Sequence, residues 1–297
     1  MRKVLTGVTV AAFAVGVAVT GGAGVASASV PHDHDIQTVR VSGDAQGTHF
    51  STTTLHEGAI RFDISTTNPN GTGVTLFSLH RGVSLSMLGA DLAEEFSGSP
   101  DTAAKGTRDI QRDVTLYGLA DVNPGTPVSA TVSLEDGTYY SFDSNSGQLP
   151  STANVTRLTV RESRGGDSRW RPRPGHRIAS VALTSSDRFV VHGHLPAHGS
   201  VLVKNVSDTL HFMLLQPVQP GTTDAQVQAF LASGSSDQPP FAVDGPSVST
   251  DVLSPGKKLV LSYSLPKGTY VLLCFVADDT TGMPHAVMGM HKVITIG

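Results

Sequence analysis

Two stretches of this 297-residue chain repeat one another at a fixed separation. Pro124-Gly125, then Leu134-Glu135-Asp136-Gly137-Thr138-Tyr139, return as Pro255-Gly256, then Leu265-Pro266-Lys267-Gly268-Thr269-Tyr270, every match at an offset of 131. An Asp-Val pair precedes each copy, Asp121-Val122 and Asp251-Val252, displaced by one residue. A Pro-Gly turn, an alternating strand, a Gly turn and another strand read as a hairpin. Its return at constant spacing means one module built twice.

The upstream parts match more loosely. Gly58 to Ile64 alternates like a half-buried strand, as does Gly199 to Asn205. A short apolar strand follows in each copy, Val74-Thr75-Leu76-Phe77 and Leu210-His211-Phe212-Met213-Leu214-Leu215. Each is followed by a capped helix: Ser84 precedes Leu85, Leu88, Leu92 and Phe96, and Thr223-Asp224 precedes Val227, Phe230 and Leu231. The first copy holds extra residues between its helix and its Pro-Gly turn. The expected organisation is domain 1 over 36–161, an Arg-, Gly- and Pro-rich linker over 162–177, and domain 2 over 178–297. The fold class is mainly β, two tandem β-sandwiches with one short helix each.

The N-terminus reads as an export segment. Arg2 and Lys3 precede an apolar, small-residue run to about Val25, and Ala26-Ser27-Ala28 closes it as a cleavage site. A transmembrane anchor is the rival reading, and the A-x-A site at the end of a Gly- and Ala-rich run favours cleavage. Cleavage after Ala28 leaves 269 residues, a start at 29–35 that reads as a disordered tail, and a soluble extracellular chain. Formal charge moves from −4 to −6, so the general basic surface that nucleic acid needs is missing. Residues 157–177 carry seven Arg against Glu162 and Asp167, the composition of a solvated linker.

Cysteine usage narrows the chemistry. A single thiol, Cys274, excludes any disulfide within the chain. A lone exported Cys is a buried inert side chain, an intermolecular partner, or a metal ligand protected by its metal. It lies within the run Tyr270-Val271-Leu272-Leu273-Cys274-Phe275-Val276. A polar loop and Pro284-His285-Ala286-Val287-Met288-Gly289-Met290 follow, and His211 lies upstream behind Asn205-Val206-Ser207.

This order resembles the cupredoxin family, the blue-copper β-sandwich proteins, over most of domain 2 and more loosely over domain 1. In that family a His follows an Asn-containing turn on an early strand, and a Cys, a His and a Met lie in order near the C-terminus. The resemblance implies one copper held by His211, Cys274 and His285 as equatorial ligands with Met290 axial. It also implies electron transfer or copper handling with a redox or cell-surface protein as partner. Two imidazoles, a soft thiolate and a distant thioether suit a metal that cycles between two oxidation states. Ten residues separate Cys274 from His285, where the family has two to four, and Asp278 or Asp279 in that loop could replace a ligand. Domain 1 has Asp143 at the position of Cys274 and Thr75 near that of His211, which predicts a metal-free module.

The opposing reading is an extracellular binding or structural protein without metal. Cys274 sits in an apolar strand, free Cys is among the most buried residue types, and His211, Met288 and Met290 could be packing. His192-Gly193-His194 resembles multicopper-oxidase pairs, but the His-Cys-His run of those enzymes is absent, so His192, His194 and His198 read as a surface turn. No G-x-S-x-G, H-E-x-x-H, phosphate-binding or dinucleotide motif occurs, which points away from hydrolase chemistry and leaves a copper-dependent oxidation as a third and weaker reading.

Overall fold

The computed structural model describes residues 36–162 and 178–297. The expected export segment, the tail at 29–35 and residues 163–177 of the expected linker lie outside the described residues. The first half runs β1 Gln37–Asp44, β2 Gly47–Phe50, β3 Thr54–His56, β4 Gly58–Thr66, β5 Thr72–Leu79, α1 Leu85–Glu95, α2 Pro100–Asp113, β6 Val114–Val122, β7 Val128–Leu134, β8 Gly137–Asp143 and β9 Thr156–Arg161. The second runs β10 Ala179–Thr184, β11 Arg188–His192, β12 His198–Asn205, β13 Leu214–Pro217, α3 Asp224–Ala232, β14 Val248–Ser249, β15 Lys258–Ser264, β16 Gly268–Leu273 and β17 His291–Ile296.

The chain is mainly β, and its strands form two mixed sheets packed as a sandwich. One sheet has the order β11-β10-β12-β15-β7-β4-β1-β2 and the other β17-β16-β13-β14-β6-β5-β8-β9-β3. Strands such as β7 alternate buried and open positions, so one face of each sheet enters the core. A single buried cluster takes Phe62, Phe77 and Leu158 from the first half together with Val203, Leu261 and Leu272 from the second.

The repeat is plain in the pairing. A parallel pair, β1 with β4, recurs as β10 with β12, and the antiparallel pairs β4–β7 and β5–β8 recur as β12–β15 and β13–β16. The expected hairpin does not form. β7 and β8 lie in opposite sheets, as do β15 and β16. Each strand buries one face in the shared core from its own side, and that burial outweighs local pairing across a short turn. A Tyr hydroxyl ties down each crossing: Tyr139 donates to the Glu135 carbonyl at 2.9 Å and Tyr270 to the Pro266 carbonyl at 3.0 Å.

The two halves share both sheets. β15 pairs antiparallel with β7, matching Leu261 with Ala130, and β14 meets β6 at Ser249 and Asp121. Leu261 and Ala130 are themselves equivalent at the offset of 131. Each half therefore joins the other through the same strands, in a quasi-twofold relation.

The first half carries two helices where the repeat predicts one. α1 begins where expected, with the Ser84 side chain accepting from the Met87 N–H at 3.3 Å. The residues in excess of the repeat form α2, started by Ser99 with Pro100 at its first position. It buries Ala103, Ala104, Thr107 and Ile110 and lies so close to α1 that a Cβ on Gly106 would overlap the backbone at Asp91 and Glu95. The second-half helix α3 starts at Thr223 with a capping box closed by Gln226.

Candidate metal centre

His211 is placed by a locked turn. Asn205, at the end of β12 and buried, donates through Nδ2 to the carbonyls of Thr209 and Leu253, 2.8 Å each. Its Oδ1 accepts from the Ser207 N–H at 3.0 Å and hydroxyl at 2.6 Å. The turn delivers the chain to His211, whose N–H donates to Leu253 O at 3.3 Å while Leu253 N–H returns a bond of 2.7 Å. Cys274 follows the last residue of β16, a strand held between β13 and β17.

The ten-residue excursion after Cys274 folds back on itself. Ala286 N–H donates to Cys274 O at 2.6 Å, His285 N–H to Val276 O at 3.0 Å, and Asp278 N–H to Met283 O at 2.8 Å. At its tip Asp278 Oδ1 accepts from the N–H groups of Thr280 and Thr281 (3.2 and 2.6 Å) and from the Thr281 hydroxyl (2.7 Å). The tip rests on the first half. Gly282, at φ +68°, leaves no room for a Cβ against the Pro100 carbonyl, and Arg108 on α2 donates to the Asp279 carbonyl. A tight turn then returns the chain, with Met290 N–H donating to His285 O at 2.8 Å.

Cys274, His211 and His285 consequently meet. The Cys274 sulfur lies 3.7 Å from His211 Nδ1 and 3.7 Å from His285 Nδ1, and the ring centroids are 4.5 Å apart. All three side chains are fully buried, as is Met290, which belongs to the same apolar cluster as Cys274. Phe212 N–H points at the sulfur at 3.5 Å.

The environment suits a soft cation. Burial pushes the Cys274 thiol up to about 12 and draws His211 down to about 3, with His285 also lowered, so the metal-free cluster is a neutral thiol between two neutral imidazoles. Two donors bonded to one metal at about 2.0–2.3 Å sit about 3–4.5 Å apart. Both sulfur-to-nitrogen separations, 3.7 Å each, meet that spacing, with the Nδ1 edge of each ring turned to the sulfur. The two Nε2 atoms have no hydrogen-bond partner among the described residues.

Asp187 is the neighbour that sequence reasoning missed. It occupies the turn between β10 and β11 at φ +52°, and its Oδ1 stands 3.9 Å from His211 Nε2 and 3.8 Å from His285 Nε2. Ser185-Ser186-Asp187 marks a turn in the sequence, and nothing local says that the turn crosses the site. Asp278, weighed as a substitute ligand, instead caps its own loop, leaving His285 to complete the cluster. His192, His194 and His198 are exposed, but only His194 lies in the connection between strands, since His192 ends β11 and His198 opens β12. In the first half, Asp143 accepts from the N–H groups of Gly73 and Asn145 at 2.8 and 3.0 Å, and Thr75 donates to Asp251.

A mainly β, two-sheet sandwich enclosing a His–Cys–His–Met cluster has the composition of a blue-copper centre, and copper is the cofactor to which this donor set points. No known family matches the chain, and no curated protein does. Among solved structures it is similar to an auracyanin from Roseiflexus castenholzii, at 22% identity over 40% of this chain and 94% of that one, TM-score 0.25. It is also similar to auracyanin A from Chloroflexus aurantiacus (18%, 42% and 99%, TM-score 0.26) and to the blue copper oxidase of Nitrosomonas europaea (13%, 88% and 85%, TM-score 0.24). Among the described residues no helix is long and apolar enough to cross a membrane.

Proposed function

We propose that this chain is an exported copper protein in which His211, Cys274 and His285 would hold one ion with Met290 as a further thioether donor, and which passes single electrons or carries copper outside the cell. The observation that supports it is the convergence of one sulfur and two Nδ1 atoms, 3.7 Å from sulfur to each ring, in a fully buried pocket. Copper supplies a one-electron couple when bound.

The chain's residues supply the rest. Val276, Ala286 and Met290 keep water away. The Phe212 N–H tempers charge on the sulfur, and the Asn205 turn and the folded-back loop hold the two rings whether or not the ion is present. We further propose two modules, 36–161 and 178–297, with only the second binding metal. The route to solvent for a redox partner or cell-surface acceptor lies on the Asp187 side, where that side chain is 18% exposed.

Reconstitution with copper tests the assignment. The expected result is about one copper per chain with a visible thiolate-to-copper absorption that disappears in Cys274→Ala. A wild-type protein that retains no copper overturns it and leaves a metal-free sandwich. Export is checked by N-terminal sequencing of protein from the medium, with Ser29 expected first.

A further inference from the structure

The outer edge of His285 faces a second set of donors that the copper assignment does not use. Asp187, Asp278 and His285 each offer an atom, all within 4.8 Å of one another. His285 Nε2 is fully buried, has no hydrogen-bond partner among the described residues, and looks into this set, 3.8 Å from Asp187 Oδ1. That is too long for a hydrogen bond and suits two donors on one cation. Asp278 caps its loop through Oδ1, and its Oδ2 accepts no hydrogen bond among the described residues.

The geometry points to a second, outer cation site, formed by Asp187, Asp278 and His285 Nε2, for a divalent ion of the Mn2+ or Zn2+ kind. Two carboxylates and one imidazole favour such ions over Ca2+ or Mg2+, whose sites are all oxygen, and over Cu(I), which seeks sulfur. Asp187 and Asp278 are both part-exposed, so the ion has a way in and room for water ligands. The two carboxylates come from different places, a turn between β10 and β11 and the loop after Cys274, so an ion here also fastens that loop to the sheet.

Built on the copper reading, the outer site carries a consequence for it. A neutral imidazole has one free lone pair. The inner cluster uses Nδ1 of His285 and the outer site uses Nε2, so filling either opposes filling the other, and the opposition is reciprocal. The inner ion is then released or weakened when the outer divalent concentration rises.

Manganese is the probe, because it avoids the thiolate. Mn2+ titrated into the full-length wild type and into Cys274→Ala, followed by the loss of free Mn2+ EPR signal, is expected to fill one site in both. Binding weakens about tenfold or more in Asp187→Asn and in Asp278→Asn. Asn tolerates the left-handed backbone at 187 and still accepts the loop hydrogen bonds at 278, and thermal midpoints verify folding. Copper-loaded wild type is expected to bind Mn2+ at least about tenfold more weakly than the metal-free protein. No Mn2+ bound to Cys274→Ala, or binding unchanged in both Asn variants, overturns the outer site. If wild type keeps no copper but binds Mn2+ in an Asp187-dependent way, the outer site stands and the copper role falls.

Discussion

Gly282→Ala asks whether the first half holds the metal loop in place. An alanine at φ +68° costs about 1–2 kcal/mol relative to glycine. Its Cβ would also overlap the Pro100 carbonyl, a backbone atom that cannot swing aside, and overpacking of that kind costs about 1–3 kcal/mol. The loop can escape the second term only by lifting from α2, which loosens the strand-like return that carries His285. With about 1.4 kcal/mol for each tenfold in affinity, relief of half to all of the overlap through the loop, about 0.5–3 kcal/mol, predicts copper binding weakened about 2- to 140-fold. Gly125→Ala is the control: φ is +78°, no atom lies within 4 Å of the added Cβ, and the turn joins β6 to β7 in the first half. It should lose about 1–2 kcal/mol in denaturant unfolding and keep wild-type copper affinity. Both variants are read by competitive copper titration and by urea unfolding of the metal-free protein. Equal copper affinity in Gly282→Ala and Gly125→Ala refutes the claim that contact with α2 positions His285.

Asn205→Ala removes a buried side chain that serves two carbonyls and two donors, so unfolding should be easier by about 2–4 kcal/mol and copper uptake slower or weaker, measured by urea melts and copper titration. Met290→Leu should preserve copper stoichiometry and shift the reduction potential upward, checked by voltammetry. In the metal-free protein His211 stays neutral when folded, near pKa 3, but takes up a proton near 6.5 when unfolded. Its contribution is therefore whole above pH 6.5 and is lost as pH falls toward 3, at up to about 1.4 kcal/mol per pH unit. Urea melts of wild type and His211→Asn should diverge in slope within that window. Cys274, protonated to about 12 when folded, adds a loss of metal-free stability above pH 9 that Cys274→Ala abolishes.

The repeat was legible because its markers are local: a Pro-Gly turn, a Gly before a strand, a Tyr whose hydroxyl closes a corner. The caps at Ser84 and Thr223 were legible for the same reason. The fate of each strand was not. Whether β7 turns back on β8 or crosses to the facing sheet is decided by which side of the core it covers, and alternation looks alike in both cases. α2 was hidden because it has no counterpart in the second copy, although Ser99-Pro100-Asp101 is a fair helix start. The ligand order His211, Cys274, His285 could be read from the resemblance. What spacing could not supply was the closure of ten residues after Cys274, since that depends on Gly282 meeting Pro100 and Arg108 meeting Asp279, contacts across more than 170 positions. Asp187 was invisible for a like reason, being brought to the rings by a turn whose letters say only that the chain reverses.

The matching of Ala130 with Leu261 bears on any attempt to study the halves separately. A strand that pairs antiparallel with its own equivalent presents an edge that fits a second copy of itself. Severed at the linker, either half would leave that edge open in both layers, and its natural occupant would be another molecule of the same fragment. The freed C-terminal piece should therefore run in gel filtration at twice its mass, with two thiols per particle and no α2 beneath either loop.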